Sequence, residues 1–395
     1  MDNIIALAKR RGFFYPSSEI YGGLANTWDF GHYGVLLKNN LRDLWLKRFV
    51  IERKDMVMVD ASVILNPKVW EASGHVTGFN DALVDCKNCQ YRTRADHLIE
   101  AKLKDVKVEG LPVEKLTEII KTNKLKCPHC GSSDLTDVRK FNLLFETKIG
   151  MVEDNKSKAY LRGELAQGIF MNFKNVIDSM RVRLPFGIAS QGICFRNEIT
   201  LGQGVFRTLQ FDLMEFEYFI KKEDWEKTFD NWKKEMWNWA LELGLSKEKI
   251  RFREHEDFER SHYSEKTMDI EYQFPFGWKE MWGLAYRTDF DLKNHMKNSG
   301  VDLNYHDPKT NEKFIPHVIE PTFGLSRLLI TILINAYHEE EVNGKKRIVL
   351  KLKPSLSPVK VAVFPLQKDE KLKKKASDLI FDLKKTYVCE FDDSG

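Results

Sequence analysis

Two cysteine pairs, Cys86-Lys87-Asn88-Cys89 and Cys127-Pro128-His129-Cys130, carry the most specific chemical signal in this 395-residue chain. Thiolates in two Cys-x2-Cys knuckles offer four soft ligands, a set that suits tetrahedral Zn2+. Gly131 directly after the second pair permits the tight turn that wraps a metal. With all four positions supplied by protein, such a zinc is structural and not catalytic. His97 and His129 stand in reserve as ligands, while Cys194 and Cys389 are isolated. The opening residues Met1 to Arg11 contain no apolar core bounded by small residues, so no secretory leader is read there. Paired cysteines in that setting read as metal ligands, not disulfides, and a cytoplasmic address is expected.

A second group of residues has the makings of an anion site. If Gly192 to Thr200 is a strand, alternation turns Arg196 and Glu198 to one face, and in Phe211 to Ile220 it aligns Phe211, Glu215 and Glu217. Alternation alone also fits a ladder of opposite charges across a hairpin, worth well under ~1 kcal/mol per pair. Two further features favour a ligand. Gly283 and Ala285 share a strand face with Arg287, which leaves open space beside a guanidinium. Arg327 falls in the first turn of an apolar helix, where the helix dipole favours negative charge. A phosphate shared between Arg327 and the helix N-terminus accounts for it.

The elements that must position these groups follow from apolar spacing. Leu37, Leu41, Leu44, Trp45 and Phe49 mark one face of a helix over 34–50, and Met56 to Val59 is a short apolar strand. From about Asp85 to Lys140 the texture turns polar and Lys-rich, as in an insertion hung from a main domain. Phe141 to Phe145 then reads as a strand returning to the core. The strands around Leu201-Gly202-Gln203-Gly204 make a long antiparallel hairpin. A Trp-rich helix runs from Glu223 to Leu243 and stops at Gly244, a strand covers Lys279 to Thr288, and an apolar helix covers Gly324 to Tyr337. Beyond a Pro354 to Pro358 linker, Val359 to Phe364, a Lys-rich helix and Tyr387 to Phe391 form a β-α-β unit.

Composition is that of a globular protein of two or three domains, 43% hydrophobic and 30% charged. The longest mostly apolar run, Leu328 to Ile334, is far short of the roughly 20 residues that span a bilayer, so no membrane role is expected. Net charge is +4, but residues 345–395 carry 13 Lys or Arg against 7 Asp or Glu. That excess suits a polyanion such as RNA, and equally a solvated surface.

With these residues in order, the chain resembles the class II aminoacyl-tRNA synthetases. Arg196-Asn197-Glu198, the loop and Phe211 are similar to their second signature motif, Gly324-Leu325-Ser326-Arg327 to the third, and the helix after Gly31-His32-Tyr33-Gly34 to the first. Within the class the chain resembles the dimeric glycyl-tRNA synthetase family along its whole length. The stretches that carry this are Ser18 to Gly23, Arg94-Ala95-Asp96-His97, Ala166-Gln167-Gly168-Ile169-Phe170, Asp269-Ile270-Glu271-Tyr272, Arg287 to Leu292 and Val318-Ile319-Glu320-Pro321.

The resemblance implies an α/β (α+β) fold with an antiparallel-sheet catalytic domain. Its parts would be 1–84 with the first motif, a zinc-ribbon-like insertion at 85–140, the other two motifs in 141–345, and a partial, truncated anticodon-binding domain at 355–395. It implies activation of glycine by ATP with Mg2+ and transfer to the 3′ end of tRNA(Gly), in a homodimer joined through the first-motif helix. Arg196 would meet the α-phosphate and Arg327 the γ-phosphate. Glu198 would read the adenine amino group and Phe211 stack on the ring, with Asn197, Phe206, Arg207, Glu280, Met281 and Gly324 completing the ATP site. Glu164, Glu215 and Glu320 would bind the glycine ammonium, Arg287 its carboxylate, and Arg94 and Thr322 would close the pocket. The metal ligands are Cys86, Cys89, Cys127 and Cys130.

The sequence departs from the family pattern at Gly163-Glu164-Leu165 for Pro-Glu-Thr, Thr322 for Ser, Leu209-Gln210-Phe211 for Arg-Glu-Phe, and Ser326 for an acid. Two other readings compete: a non-catalytic synthetase-like RNA- or partner-binding protein, which would normally lose the motif arginines, and a zinc-ribbon nucleic-acid-binding protein, which accounts for 85–140 alone.

Overall fold

The hairpin expected on either side of the Gly202 to Gly204 loop lies inside a seven-stranded sheet. The computed structural model describes residues 1–103, 106, 108, 111–150, 158–199 and 202–393. In chain order the strands are β1 (Met56–Met58), β2 (Phe186–Phe195), β3 (Gln210–Ile220), β4 (Ile250–Glu254), β5 (Lys266–Phe274), β6 (Gly277–Thr288) and β7 (His317–Gly324). They lie side by side as β4-β5-β6-β7-β3-β2-β1, antiparallel throughout except for the parallel pair β2 and β1.

Alternation along β3 decides what each face of the sheet does. Met214, Phe216, Tyr218 and Ile220 point into the main core, where they meet α1 (His32–Leu46), α3 (Trp225–Glu242) and α4 (Leu325–Ala336). The core is largely aromatic: Phe49 lies 5.9 Å from Phe216 and 5.3 Å from Trp239, and Trp239 stacks on Trp282 at 4.9 Å. Each such ring contributes on the order of 2–3 kcal/mol on leaving water. On the opposite face Phe219 packs against Phe170 and Phe173 of α2 (Ala166–Met180). That same face carries Glu215 and Glu217, so two acids are buried beneath a helix.

Pro321 sits inside the central strand β7, a position from which proline is normally absent because it has no N–H to donate. The β3–β7 ladder runs through Glu215 opposite Thr322, is interrupted, and resumes at Tyr218 opposite Ile319. The break falls beside Glu217.

Several boundaries differ from the sequence reading. β2 begins at Phe186 and stops at Phe195, opposite the first residue of β3, so Arg196 to Ile199 are irregular and do not continue the strand. Thr200 and Leu201 lie outside the described residues. The strand expected over Phe141 to Phe145 is Arg139–Asn142 and pairs with Asn80–Asp85, which pairs in turn with Arg92–Arg94. It therefore belongs to the sheet of the inserted segment and not to the main core. The segment has its own small core, including Val84, Leu98, Ile99, Leu116, Ile120 and Val138. A hairpin of Tyr337–Val342 and Lys345–Leu350, unread in the sequence, follows α4. The β-α-β unit pairs Val361–Val363 with Cys389–Phe391 in parallel across the helix Glu370–Leu383. No described helix is long and apolar enough to cross a membrane.

Candidate active site

Where β3, β6 and β7 meet α4, a narrow cleft of about 90 Å3 opens. Three arginines line it: Arg196 after β2, Arg207 in the hairpin loop, and Arg327 from the first turn of α4. Since the strand ends early, turns and not alternation place Arg196 and Glu198. The Arg196 N–H donates to Leu209 O at 3.0 Å, Asn197 N–H to Leu143 O at 2.8 Å, and Glu198 N–H back to Arg196 O at 2.8 Å. The Arg196 guanidinium lies between the rings of Phe79 and Phe211, at 5.2 and 5.3 Å, and donates from Nε to Gly163 O at 3.1 Å. Arg327 donates to the Phe206 carbonyl at 3.3 Å, lies over the Phe206 ring at 4.9 Å and pairs with Glu280 at 2.9 Å. Burial works to raise the Glu280 carboxyl, but Arg327, Arg196 and Arg207 outweigh it and hold the group below its usual range. Burial lowers the Arg207 guanidinium, and the charges of Arg327 and Arg94 add to this against Glu198.

Next to the cleft, along β3 and β7, lies a cluster of buried acids. Glu215 lies opposite Thr322, which lines the cleft, and Thr322 lies opposite Gly283, where an added Cβ would meet no atom within 4 Å. The open space inferred from Gly283 is present. Around it Glu164, Glu215, Glu217 and Glu320 are all buried, and Arg287 is fully buried among them.

Arg287 is not free to grip a substrate carboxylate. Its Nε and Nη2 donate to Asp291 at 2.8 and 3.0 Å, its Nη1 donates to Glu320 at 3.0 Å, and Nη2 lies 3.5 Å from Glu164. Tyr263 stacks on its guanidinium at 3.8 Å. Glu164 also takes a hydrogen bond from Gln167 at 2.9 Å and lies 3.2 Å from His75 Nε2, and Ser73 meets His75 Nδ1 at 2.8 Å. Burial opposes ionisation of Glu164, yet His75, Arg287 and Gln167 bring its carboxyl well below the usual range. His295 contacts Gln167 Oε1 at 2.7 Å, and burial lowers its imidazole to about 4, which keeps it neutral.

The structure gathers Arg196, Glu198, Phe206, Arg207, Phe211, Glu280, Met281, Thr322, Gly324 and Arg327 into one cleft lining, as the motifs imply. Asn197 is not part of that lining. Arg94 stands at the edge of the insertion, held by Asp81 at 3.0 Å and by Asp96 at 3.1 Å, and does not reach the acidic pocket. Sequence reasoning assigned no role to Asp212, whose carboxylate receives Lys38 at 2.9 Å and Arg42 from α1. It also passed over Asp291, Gln167, His75 and Phe79. Asp291 and Gln167 lie within quoted stretches, and only their long-range partners reveal them.

At the insertion, the Sγ atoms of Cys86, Cys89, Cys127 and Cys130 lie within 4.8 Å of one another. Cys86 and Cys130 are 3.6 Å apart, and Cys89 and Cys127 3.7 Å. Sulfurs about 2.3 Å from a tetrahedral zinc define edges of about 3.8 Å, whereas a disulfide needs about 2.0 Å. The donor set and its spacing therefore fit a metal.

An antiparallel sheet bearing an arginine-lined cleft at a helix N-terminus is the arrangement of a class II tRNA synthetase, and residues 145–336 match the family described as "tRNA synthetase class II core domain (G, H, P, S and T)". A prolyl-tRNA synthetase from Cryptosporidium parvum, solved with halofuginone and AMPPNP, shares the fold with a TM-score of 0.61 at 13% identity, over 99% of this chain and 64% of that one. The glycine–tRNA ligase of Caldanaerobacter subterraneus subsp. tengcongensis is 52% identical over 100% of this chain and 86% of its own length. That of Geobacillus thermodenitrificans is 52% identical over 100% and 85%. The chain belongs to the glycine–tRNA ligase family.

Proposed function

We propose that this protein activates glycine with ATP and passes the glycyl group to tRNA(Gly). The observation that carries this reading is the junction of a three-arginine cleft with a buried carboxylate pocket, at Glu215, Thr322 and Gly283. A nucleotide triphosphate fits the first and an ammonium the second, and an amino acid joined to ATP presents both. The relatives' names supply glycine as the amino acid. Glycine has no side chain to grip, so selectivity rests on excluding larger ones.

In this reading the glycine carboxylate attacks the α-phosphorus and pyrophosphate departs. Arg196, fixed by Phe79 and Gly163, stabilises charge as it builds on the α-phosphate, and Arg327 holds the γ-phosphate at the α4 N-terminus. Phe211 offers a ring to the adenine and Glu198 an acceptor to its amino group. Mg2+ brought with ATP would neutralise phosphate charge, and Glu280, the cleft carboxylate paired with Arg327, would help hold it. Glu164, Glu215 and Glu320 receive the ammonium. Arg287, saturated by carboxylates, acts as a positioning residue that fixes Glu320 and Glu164.

The four cysteines would hold a structural Zn2+ in the inserted segment. We further place two copies in a dimer through α1, whose Val35 is exposed, as are the apolar residues Ile20, Tyr21 and Leu24 shortly before it in the chain. The 355–395 segment would meet the anticodon arm, with Lys345, Lys346, Arg347, Lys351 and Lys353 just ahead of it carrying most of the positive excess, and the work would be cytoplasmic, alongside translation. The deciding experiment is ATP–pyrophosphate exchange with glycine and with alanine and serine as competitors. Exchange that depends on glycine alone supports the reading, and exchange with none of them rules it out.

A further inference from the structure

The acidic pocket holds more carboxyls than its cations can pair. Glu164, Glu215, Glu217, Glu320 and Asp291 are all buried, each less than 8% exposed. Facing them are Arg287 from β6, Arg196 at the mouth of the cleft, His75 beside Glu164 and His295 near Asp291 and Glu164, with Tyr263, Cys194 and the buried Arg162 among the other titratable groups around them. Arg287 is spent on Asp291, Glu320 and Glu164. Nothing reaches Glu217: neither of its carboxyl oxygens has a hydrogen-bond partner, and Glu215 Oε1 has none either. Carboxylate oxygens of Glu215, Glu217 and Glu320 all lie within 4.8 Å of one another. The Ser190 hydroxyl, directly across from Glu215 on β2, is buried and unpartnered as well.

Three carboxyls at this separation cannot all be ionised while buried, and a group of this kind shares protons and titrates as one unit. Burial first, then the charge of Glu320, raises both Glu215 and Glu217 well above the usual carboxylate range.

Resting on the reading of this pocket as the glycine site, we propose that Glu217 is a positioning residue that keeps a proton while the pocket is empty, and that the arriving ammonium drives that proton out. The O–H bond of the carboxyl breaks, its electron pair stays on the oxygen, and the proton passes to a base in solvent. The new negative charge is matched locally by the ammonium of the substrate, while the glycine carboxylate brings its own negative charge to the side of the cleft where Arg196 lies. The same device disfavours ligands of similar size that lack an ammonium, because they leave the proton in place.

The test is calorimetric titration of glycine into the intact protein at one pH in two buffers of different ionisation enthalpy, phosphate and Tris. The expected result is a buffer-dependent heat that corresponds to release of about one proton per glycine bound. In Glu217→Gln the release should fall to less than half. Unchanged release in Glu217→Gln overturns the assignment to Glu217, and buffer-independent heat in the wild type overturns the inference outright. If the variant does not fold, the wild type still decides: below the apparent pKa of the cluster, apparent glycine affinity should increase as the pH is raised, by up to about tenfold per pH unit, and level off above it, and an affinity flat with pH refutes it. No glycine binding at all in the wild type would instead bring down the glycine reading itself, a result distinct from binding without proton release. Glycolate in place of glycine should release no proton.

Discussion

Two arginines that both act on Glu215 should fail in opposite ways. Arg196 lines the cleft between two rings and serves no buried carboxylate within hydrogen-bond reach, so its loss removes transition-state stabilisation but little of the fold. Arg196→Ala should lower glycine-dependent pyrophosphate exchange by about 100- to 1000-fold, as expected for a donor aimed at developing charge, with the thermal midpoint nearly unchanged. Exchange at the wild-type rate would remove Arg196 from the mechanism. Arg287→Ala instead strands Asp291, Glu320 and Glu164 in the interior, and breaking such a buried pair typically costs about 3–5 kcal/mol. Urea denaturation should show that loss; a variant as stable as wild type would mean the carboxyls had simply taken up protons. At this scale the sequence discloses residues whose local pattern is odd, such as an arginine opening a helix or a glycine beside Arg287. It does not disclose His75, whose partner Glu164 lies 89 positions away, or Asp291, 124 positions from Gln167. Nor does it show that Arg287 is already saturated, because that depends on three carboxylates delivered by three different elements.

Elements were most legible where both faces of a strand or one face of a helix had a core to meet. β3 follows its alternation residue by residue, and α1, α3 and α4 fall close to their apolar stripes. Errors concentrate at ends: β2 halts at Phe195 because, after one bond from Arg196 N–H to Leu209 O, the Asn197 N–H turns away to Leu143 O and that of Glu198 back to Arg196 O. The Tyr337–Leu350 hairpin was overlooked although Asn343-Gly344 is a strong turn signal, since its strands are charged and carry little alternation. The inserted segment makes a prediction of its own. Its core is small and separate from the main one, so it needs a staple, and four thiols at metal spacing provide one. Freshly purified protein should contain one zinc per chain, and Cys127→Ser with Cys130→Ser should lose it and expose 111–126 to limited proteolysis while the seven-stranded sheet persists. Elemental analysis that finds no metal in the wild type would reject the site.

Across the whole molecule, stability should be graded from the central sheet outward to the C-terminal unit. The sheet is covered on both faces, by α1, α3 and α4 on one side and α2 on the other, and the largest fully buried side chains, among them Trp45, Trp239, Trp282, Phe170 and Phe173, belong to these layers. The β-α-β unit at 361–391 is built differently. Its helix buries only Ala376 and Ile380, its strands are three residues each, and Leu366, Phe381 and Phe364 are 89%, 69% and 60% exposed. Leu356, buried in the main core, and Asn40, which donates to the Leu356 and Ser357 carbonyls at 3.1 and 3.0 Å, anchor the linker ahead of it. A two-stranded parallel sheet under one helix is marginal by itself, and such units open at far lower free energy than the global transition. Native-state hydrogen exchange followed by mass spectrometry should therefore find the amides of 361–391 exchanging early and those of β2, β3, β6 and β7 last. Among the described residues, none of the cleft lining comes from beyond Arg327, so disturbing this unit should spare the chemistry. Ile380→Asp should accelerate exchange within 361–391 and leave glycine-dependent pyrophosphate exchange within about twofold of wild type, since exchange needs only the cleft and the acidic pocket. Equal protection across the chain would contradict the graded stability, and loss of pyrophosphate exchange in a folded Ile380→Asp protein would show that the unit supports the cleft through contacts absent from this account.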